Sequence, residues 1–360
     1  MKNPFSPGLL PLELSNEILI RLYKKAIEAR IKLTKFSILL EKSFISENLM
    51  YLFSLNESVQ STKIEGTQAT FDEVMESEVT KKYSLNVMEV INYMHTLDLG
   101  VNLLKTLPIS TRLILRLHEE ILKDGRGKDR SPGSFRQVQN WIGRNNRIED
   151  ATYIPPSPDM VEKYISNLEK YINDEIADDI DPIIKIAVIH AQFESIHPFL
   201  DGNGRLGRVL IMLYLLDKGI INKPTFFVSE ELEKNKLKYY TLLNNLRTET
   251  PKWEDWIVFF LQSVVNQANK NIDKLKRVET LYDEMKKFAK ENNVKTEFID
   301  TIFKNPIFSI KQVSESMNIS YSASKTNINK LLLSNKIFTD DKKRNKIYTF
   351  IDLLDIIRYN

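Results

Sequence analysis

The chain has 360 residues, a formal net charge of +3, 42% hydrophobic residues and no cysteine. That length supports two or three domains with sizeable cores, and the charge is too small to indicate a polyanionic partner for the whole molecule. The absence of cysteine excludes disulfides and thiolate metal sites, and it suits a reducing cytoplasm. The N-terminus lacks a long apolar core behind a basic region, and no apolar run reaches about 18 residues. We therefore expect no secretory signal and no membrane-spanning helix.

The N-terminal part is predicted to be helical. The residues before Ser15 contain three prolines and should run extended until Ser15, which can cap the first helix. A helical pattern with few breakers follows, and we assign residues 1–105 to an N-terminal helical region. Within it, Gly66 is predicted to end one helix because glycine tolerates positive φ. Thr70 and Glu73 have the spacing of a capping box for the next helix.

After this region the pattern changes from helix to turns and back to helix. The helix TRLILRLHEEIL precedes a turn rich in glycine and arginine, whose Arg126, Arg130 and Arg136 we expect to be solvated and without a chemical role. Residues 141–156, WIGRNNRIEDATYIPP, place short apolar pieces on either side of a polar turn, which predicts a β-hairpin. Prolines end the hairpin, and a helix is predicted from about Asp159 to Asn173.

The segment HPFLDGNGRLGR, from His197 to Arg208, separates two apolar runs that are typical of buried helices. Glycines let the backbone approach an anion closely, and the free N–H groups at the following helix start point at it. Arg205 and Arg208 are three residues apart, so both can reach one polyphosphate. Asp201 can hold Mg²⁺ through oxygen, and His197 is expected to titrate near neutral pH.

This string resembles the signature of the Fic (Fido) family, His-x-Phe-x-Asp/Glu-Gly-Asn-Gly-Arg-x-x-Arg. Every fixed position is filled, by His197, Phe199, Asp201, Gly202, Asn203, Gly204, Arg205 and Arg208. The resemblance covers about residues 50–270 and implies a mainly α fold, with the Fic helical core at 106–270. It also implies that the hairpin is the Fic flap, which in the family holds a target segment by strand addition beside the active site. A plain surface hairpin is the alternative.

The implied reaction is transfer of AMP from the co-substrate ATP to a Tyr, Thr or Ser hydroxyl of a target protein, which can be the chain itself. The resemblance implies that His197 is the general base, that Asp201 holds Mg²⁺ and that Phe199 packs inward to fix the loop. The implied nucleotide-binding residues are Gly202, Asn203, Gly204, Arg205, Leu206, Gly207 and Arg208, with Arg208 on the γ-phosphate. Related kinases carry Lys where this chain has Gly204, and the glycine favours AMP transfer.

A second motif precedes the core. Ser61, Glu65 and Gly66 match the family's inhibitory pattern Ser/Thr-x-x-x-Glu-Gly/Asn. The resemblance implies that Glu65 pairs with Arg208 and so blocks the ATP γ-phosphate. On physical grounds alone, Glu65 is an ordinary acid at a helix end, where such residues are mostly solvated.

Beyond the central motif, a helix is predicted to begin at about Glu230. In related proteins a residue of this helix lines the adenine pocket, and Tyr239 and Tyr240 are the candidates, with Tyr240 favoured. The alternative is that both tyrosines belong to the core. The remaining histidines, His95, His118 and His190, are scattered without a third ligand nearby, so we expect structural roles and no zinc site.

The C-terminal part has a different composition. We assign residues 271–292 to a charged linker helix and 293–360 to a winged helix domain, because helix, turn and helix are followed by strand, basic turn and strand. Between Ser320 and Lys346, seven basic residues stand against two acidic ones. Lys325, Asn327, Asn329 and Lys330 are predicted to lie along the second helix. DNA is one candidate partner of this domain, and homodimerisation or protein docking is the other.

Two alternatives to AMP transfer stay open at the level of sequence. The same residues could remove AMP from a modified protein, with Glu65 orienting a water. The chain could instead be a DNA-binding regulator in which the Fic core senses nucleotide.

Overall fold

A computed structural model describes residues 3–143, 147–340, 342 and 344–358. The predicted mainly α fold is confirmed. The helices and strands, in chain order, are α1 Asn16–Lys42, α2 Ser46–Ile64, α3 Phe71–Thr80, α4 Leu85–Leu104, α5 Thr111–Ile121, β1 Ile142–Gly143, β2 Ala151–Tyr153, α6 Val161–Ile172, α7 Pro182–Ile196, α8 Asn203–Asp217, α9 Ser229–Lys234, α10 Lys236–Leu246, α11 Trp253–Glu291, α12 Thr296–Lys304, β3 Ile307–Phe308, α13 Ile310–Met317, α14 Tyr321–Leu333, β4 Phe338–Thr339, β5 Tyr348–Thr349 and α15 Ile351–Arg358.

The predicted helix ends have the expected local geometry. The Ser15 hydroxyl accepts a hydrogen bond from the Ile18 N–H, which confirms the cap of α1. Thr70 and Glu73 form a complete capping box at the start of α3. Gly66 follows the end of α2 with φ of 96°, a conformation that favours glycine over L-residues. These ends fix where α2 stops and α3 starts, and Glu65 lies between them.

Helices α7 and α8 form the centre of the core. They pack against each other, and α4, α5, α6 and α11 surround them. Nearly every residue of both helices is buried, as their continuous apolar sequences predicted. The buried Trp256 indole on α11 donates a hydrogen bond to the Ala187 carbonyl at 2.8 Å. The loop between α7 and α8 is therefore held on a rigid support.

The predicted hairpin is present as a short antiparallel pair, in which Ile142 of β1 faces Tyr153 of β2. Residues 144–146 of its predicted turn lie outside the described residues. The N-terminal segment runs beside the hairpin, and the Phe5 N–H donates to the Ile154 carbonyl at 2.9 Å. The helix predicted from about Glu230 is in fact two helices, α9 and α10, which meet at Asn235.

The C-terminal elements follow the predicted order of helix, turn, helix and two strands, in α13, α14, β4 and β5. Strand β5 pairs with β3 on one side and β4 on the other, both antiparallel. In the predicted basic turn, Lys342 and Arg344 are described, whereas Asp341 and Lys343 lie outside the described residues. Residues 271–291 continue α11 without a break, so the predicted boundary at 270 falls inside one 39-residue helix. Within the described ranges, none of the helices is long and apolar enough to cross a membrane.

Candidate active site

The loop between α7 and α8 has a fixed backbone shape. His197 ends α7 with φ of 49°, and Gly202 precedes α8 with φ of 79°. The Asn203 side chain closes the loop, since its Oδ1 accepts from the Phe199 N–H and its Nδ2 donates to the Phe199 carbonyl, both at 2.9 Å. The loop therefore presents the residues from His197 to Asp201 in a single conformation above the start of α8.

His118 supports this loop from below. Its ring stacks on Phe199 at 3.6 Å between centroids, and its Nε2 lies 3.0 Å from the Asp201 carbonyl. Its Nδ1 accepts from the Gly133 N–H, so the proton is on Nε2. Burial lowers the pKa of His118 to about 4, which keeps the ring neutral. The predicted structural role of this histidine is confirmed, although its position under the loop was not apparent from the sequence.

Arg136 holds the backbone of His197. Its Nε donates to the His197 carbonyl at 3.0 Å, and it also donates to the Pro156 carbonyl. The expectation that Arg136 is solvated was wrong, because the side chain is 1% exposed and its donors satisfy buried carbonyls of two loops.

The imidazole of His197 is neutral over a wide pH range. Burial, together with the neighbouring charges of Arg247 and Arg136, lowers its pKa to about 3. The expectation that His197 titrates near neutral pH was therefore wrong. A solvated loop would have left the pKa near its usual value, but Arg136 binds the His197 carbonyl and Arg247 binds the Glu194 carbonyl one turn earlier.

The Arg208 side chain is buried and contacts the end of α2. Its Nε donates to the Ser61 hydroxyl at 2.7 Å, and its Nη2 donates to the Ser61 carbonyl at 2.9 Å and to Glu65 Oε1 at 2.8 Å. Burial alone would lower the pKa of Arg208, but the carboxylate of Glu65 raises it above the usual value. The contact between Glu65 and Arg208 that the motif implied is present in the structure.

The Glu65 carboxylate lies directly over the first turn of α8. A Cβ atom built on Gly204 would be 2.2 Å from Glu65 Oε1, so only glycine leaves room for this carboxylate. The start of a helix attracts anions through its free N–H groups and the helix dipole. The carboxylate therefore occupies a position suited to a phosphate oxygen.

Asp201 and Arg205 lie on the open side of the loop. Asp201 Oδ1 accepts from the Gly202 N–H at 2.6 Å and from Arg205 Nη2 at 3.2 Å. The Asp201 side chain is 43% exposed, whereas that of Arg205 is 6% exposed. Within the described part of the chain, Arg205 Nε and Arg208 Nη1 are buried donors without a hydrogen-bond partner. Buried guanidinium donors that lack a partner indicate a site for an anionic ligand.

Two family profiles match the chain, the Fic/DOC family over residues 108–215 and the Fic/DOC family N-terminal region over residues 23–102. The chain belongs to the Fic/DOC family. A relative from Aquifex aeolicus, named probable protein adenylyltransferase, is 30% identical over 184 residues, which are 49% of this chain and 52% of the relative. Protein adenylyltransferase fic-1 of Caenorhabditis elegans is 33% identical over 111 residues, 31% of this chain and 20% of the relative. The chain thus spans about half of the first relative and a fifth of the second.

Two solved structures share the fold. A Fic family protein from Desulfovibrio desulfuricans has a TM-score of 0.58 at 17% identity and covers 96% of this chain and 98% of its own. A Fic domain containing signaling protein from Bacteroides thetaiotaomicron has a TM-score of 0.52 at 19% identity and covers 72% of this chain and 97% of its own. The first likeness extends over the C-terminal elements as well as the Fic core.

The two tyrosines near the Fic motif have different surroundings. Tyr239 is 1% exposed and its hydroxyl lies 2.9 Å from His190 Nε2, so it belongs to the core. Tyr240 is 37% exposed, and its hydroxyl donates to the Ile64 carbonyl at 3.2 Å, next to the turn that carries Glu65. Of the pair, Tyr240 is the ring that a ligand at the start of α8 could reach.

Two buried carboxylates near the Fic motif were missed by sequence reasoning. Glu194, one turn before His197, packs under Gly207, and its Oε1 is a buried atom without a hydrogen-bond partner among the described residues. Burial, and then the charge of Glu65, raise the pKa of Glu194 to about 7. Glu57 accepts from the Ser229 N–H at 3.2 Å and is buried on the same face of α2 as Glu65. A glutamate on an apolar helix gives no sequence signal that distinguishes such a position from a solvated one.

Arg126 is the third residue whose role differs from the expectation. Its Nε and Nη2 donate to the two oxygens of Glu89 at 2.5 and 2.8 Å, and Nη2 also donates to the Thr67 hydroxyl at 3.1 Å. Its side chain is half exposed, but this two-point contact joins α4 to the turn after Glu65. Arg130 is exposed, as expected.

The metal donors are few. No group of three or more His, Cys, Asp or Glu side chains that could hold a metal lies within the described ranges. The half-exposed carboxylate of Asp201 fits Mg²⁺ better, because this ion is held by one or two carboxylates together with substrate phosphates. His95 is exposed and His190 is buried in the core.

Proposed function

We propose that this chain is a protein adenylyltransferase, which transfers AMP from ATP to a Tyr, Thr or Ser hydroxyl of a target protein and is inhibited by Glu65. The observation that carries the proposal is the anion site at the start of α8, where two buried guanidinium groups keep donors that have no partner among the described residues. The names of the relatives from Aquifex aeolicus and Caenorhabditis elegans support the same reaction.

His197 serves as the general base. Its imidazole is neutral at physiological pH, so it can accept the proton of the acceptor hydroxyl as the oxygen attacks the α-phosphorus. A new O–P bond forms, the bond to the β-phosphate oxygen breaks, and pyrophosphate leaves. Arg136 and the Asn203 side chain keep the loop in place, so the base does not have to be ordered during the reaction.

The phosphates bind at the first turn of α8. Its backbone N–H groups and the unpartnered donors of the two arginines supply hydrogen bonds that favour negative charge. The proposed nucleotide-binding residues are Gly202, Asn203, Gly204, Arg205, Leu206, Gly207, Arg208 and Tyr240. Tyr240 would contact the adenine at the edge of the site.

Asp201 would hold Mg²⁺ through its exposed carboxylate. The ion, when bound, neutralises charge on the phosphates and on the leaving pyrophosphate. The Arg205 Nη2 and the Gly202 N–H both donate to Asp201 Oδ1, and this fixes the direction of the carboxylate.

Inhibition follows from the position of Glu65. Its carboxylate fills the anion position and pairs with the arginine that would bind the γ-phosphate. Ser61 contributes to the inhibited state because its hydroxyl and carbonyl accept two further hydrogen bonds from Arg208. Gly66 allows the turn that ends α2 at this point.

The partners and location are part of the proposal. The β1–β2 hairpin, with strands Ile142–Gly143 and Ala151–Tyr153, would bind a segment of the acceptor protein by strand addition. We propose a cytoplasmic protein whose C-terminal elements form a winged helix, with DNA or a second copy of the chain as its partner.

The test is incubation with α-labelled ATP and Mg²⁺, with and without cell extract, for wild type, Glu65→Gly and Glu65→Gly/His197→Ala. We expect labelled protein from Glu65→Gly, self-modification first, and none from the double variant. A γ-labelled ATP sample controls for phosphoryl transfer and should give no label. Absence of AMP-modified protein from Glu65→Gly would reject the proposal. Release of AMP from labelled protein by wild type but not by Glu65→Gly would indicate AMP removal. Salt-dependent DNA retention without any labelled product would indicate the regulator.

A further inference from the structure

The C-terminal elements contact the inhibitory helix and the helix after it. Helices α12 and α15 both pack against α2, and β3 packs against α3. Residues 296–358 follow the Fic core in sequence, yet they pack against α2 and α3. The inhibitory turn at Glu65 therefore lies between two helices that the C-terminal elements support.

We propose that residues 296–358 act as a clamp that holds α2 and α3 in the inhibitory arrangement, so that loosening this C-terminal clamp releases Glu65 from Arg208. The effect of the clamp on AMP transfer rests on the proposed function, whereas the contacts that form the clamp do not depend on any reaction.

The first contact is an ion pair between the end of α15 and the start of α3. Arg358 Nη1 lies 2.5 Å from Asp72 Oδ2, and the side chains are 19% and 36% exposed. Asp72 is in the first turn of α3, where an acid is also favoured by the helix dipole. Asp72 is seven positions after Glu65, and Gly66 and the α3 capping box leave this connection little freedom. A shift of α3 would therefore move the inhibitory turn.

The second contact is buried and reaches α2 itself. The Lys274 ammonium on α11, 1% exposed, donates to the Ile357 carbonyl of α15 and to Glu230 Oε2, both at 2.9 Å. The same Glu230 oxygen accepts from Asn56 Nδ2 of α2 at 3.2 Å. A buried ammonium must keep its acceptors, because an unpaired charge in the interior is costly. The position of α15 is thus coupled through Lys274 and Glu230 to α2.

Helix α2 transmits this restraint to the site. Glu57, Ser61 and Glu65 are four residues apart and so lie on one face, which contacts α4, α8 and α9. Asn56 is adjacent to Glu57 and lies about 14 Å along the helix from Glu65, at 1.5 Å per residue. Since an intact helix moves as a unit, a restraint at Asn56 and a restraint at Asp72 fix the turn from both ends. The Glu57 contacts do not involve the clamp, so its loss should release Glu65 only in part.

The experiment uses the full chain with Asp72→Asn, Arg358→Gln and Lys274→Met. The first two variants break the same ion pair from opposite sides, and Arg358→Gln leaves the start of α3 unchanged. Lys311→Gln on α13 is the matched control, because Lys311 is exposed and pairs only with a residue of its own helix among the described contacts. Two quantities are measured, amide hydrogen exchange of residues 58–66 and self-modification with α-labelled ATP. Exchange in α7 reports whether each variant is folded.

We expect exchange of residues 58–66 and the labelling rate to rise about three- to tenfold in Asp72→Asn and in Arg358→Gln. This is less than the full effect of losing one charged hydrogen bond, because the Glu57 contacts still hold α2. Lys274→Met should act in the same direction, and Lys311→Gln should match wild type. In a Glu65→Gly background the clamp variants should raise labelling no further, because both act through the same contact.

The outcomes separate the clamp from the reaction. If Glu65→Gly labels itself but the clamp variants change neither exchange nor labelling, the clamp is wrong and the proposed function stands. If the clamp variants speed exchange while no variant yields AMP-modified protein, the mechanical coupling stands and the proposed function fails. Equal effects in Lys311→Gln would overturn the clamp, since they would show a general loss of stability.

Discussion

Replacing Glu65 by Gly should raise the rate of AMP transfer about ten- to hundredfold and tighten ATP binding. The wild-type carboxylate must leave Arg208 Nη2, which it contacts at 2.8 Å, before a γ-phosphate can take its place. The arginine is 1% exposed and the glutamate 34% exposed, so solvent screens the pair only in part. A hydrogen bond between charged groups contributes about 1.5–3 kcal/mol. Since about 1.4 kcal/mol corresponds to a factor of ten, loss of this hydrogen bond should raise the fraction of molecules with Arg208 free to bind ATP about ten- to hundredfold.

The backbone change itself should contribute little. Glu65 caps α2 with φ of −83°, a value that any residue adopts. Replacing it by glycine should therefore lower the stability of this helix end by at most about 1 kcal/mol. Glu65→Gln tests this separately, because the amide keeps the side chain but loses the charge. We expect Gly to be the most active, Gln intermediate and wild type lowest. Glu41→Gly, which removes an exposed acid from the last turn of α1, is the matched control and should behave as wild type.

The assay is the initial rate of self-modification at several ATP concentrations, with ATP affinity from equilibrium binding. Arg208→Ala combined with Glu65→Gly should cancel the increase in rate. Glu65 inhibits by binding the Arg208 guanidinium, and the same guanidinium must bind ATP once Glu65 is removed. An unchanged rate in Glu65→Gly would refute the inhibitory role of Glu65. A lower rate, together with loss of AMP release from modified protein, would assign Glu65 to AMP removal.

Three further predictions concern other parts of the chain. His197→Ala should lower AMP transfer by about 10²–10⁴ while ATP binding stays nearly intact, because the base is not a phosphate ligand. The kcat/KM of the wild type should show no inflection from His197 near pH 6.5, since the pKa of His197 in the free chain is about 3. Glu194→Gln should raise the free energy of unfolding at pH 8 by up to about 3 kcal/mol, measured by urea unfolding. The pKa of Glu194 is raised from 4.5 to about 7 in the folded chain, so its stabilising contribution is complete below pH 4.5 and is lost as the pH rises through 7. Replacing Lys342, Lys343 and Arg344 by Gln should weaken DNA retention by a similar factor on all sequences and flatten its salt dependence, without changing AMP transfer.

Each of these has an outcome that would contradict it. Wild-type turnover in His197→Ala would exclude this residue as the base. A Glu194→Gln effect of the same size at pH 4 and pH 8 would show that titration of the carboxyl is not its cause. No DNA retention by the wild-type chain at low salt would reject the DNA role and leave docking or dimerisation.

The sequence predicted the parts of the site that depend on local spacing. The segment from His197 to Arg208 is continuous, so its helix end, glycine turn and two arginines follow from residue order alone. The contact between Glu65 and Arg208 joins residues 143 positions apart, and only the likeness of two motifs to one family could predict it. Local spacing contains no information on which helices meet.

The failures share a physical cause. Arg136 was expected to be solvated and His197 to titrate near neutral pH, because both stand in polar loops. In the folded chain the buried guanidinium of Arg136 binds the His197 carbonyl, and desolvation together with the nearby charges lowers the pKa of His197. Residues 271–292 were predicted to be a linker because they are charged, yet Lys274 is buried against Glu230. In each case the group that offsets the free-energy cost of burial is distant in sequence, so local sequence patterns do not reveal it.

In the proposed mechanism, inhibition and nucleotide binding compete for one place, the first turn of α8. Because Gly204 has no side chain, an oxygen atom can lie against the backbone at this position. A Cβ atom on residue 204 would be only 2.2 Å from Glu65 Oε1, so the position cannot hold both atoms. The free N–H groups and the arginines favour any anion there and do not distinguish a carboxylate from a phosphate. A carboxylate carries one charge and is supplied by the chain itself, so it binds without loss of translational freedom, whereas ATP supplies more charge and more hydrogen-bond acceptors. On the proposed function, the balance between them depends on how firmly α2 is held, and the contacts that fix α2 would set the ATP concentration at which the nucleotide displaces Glu65.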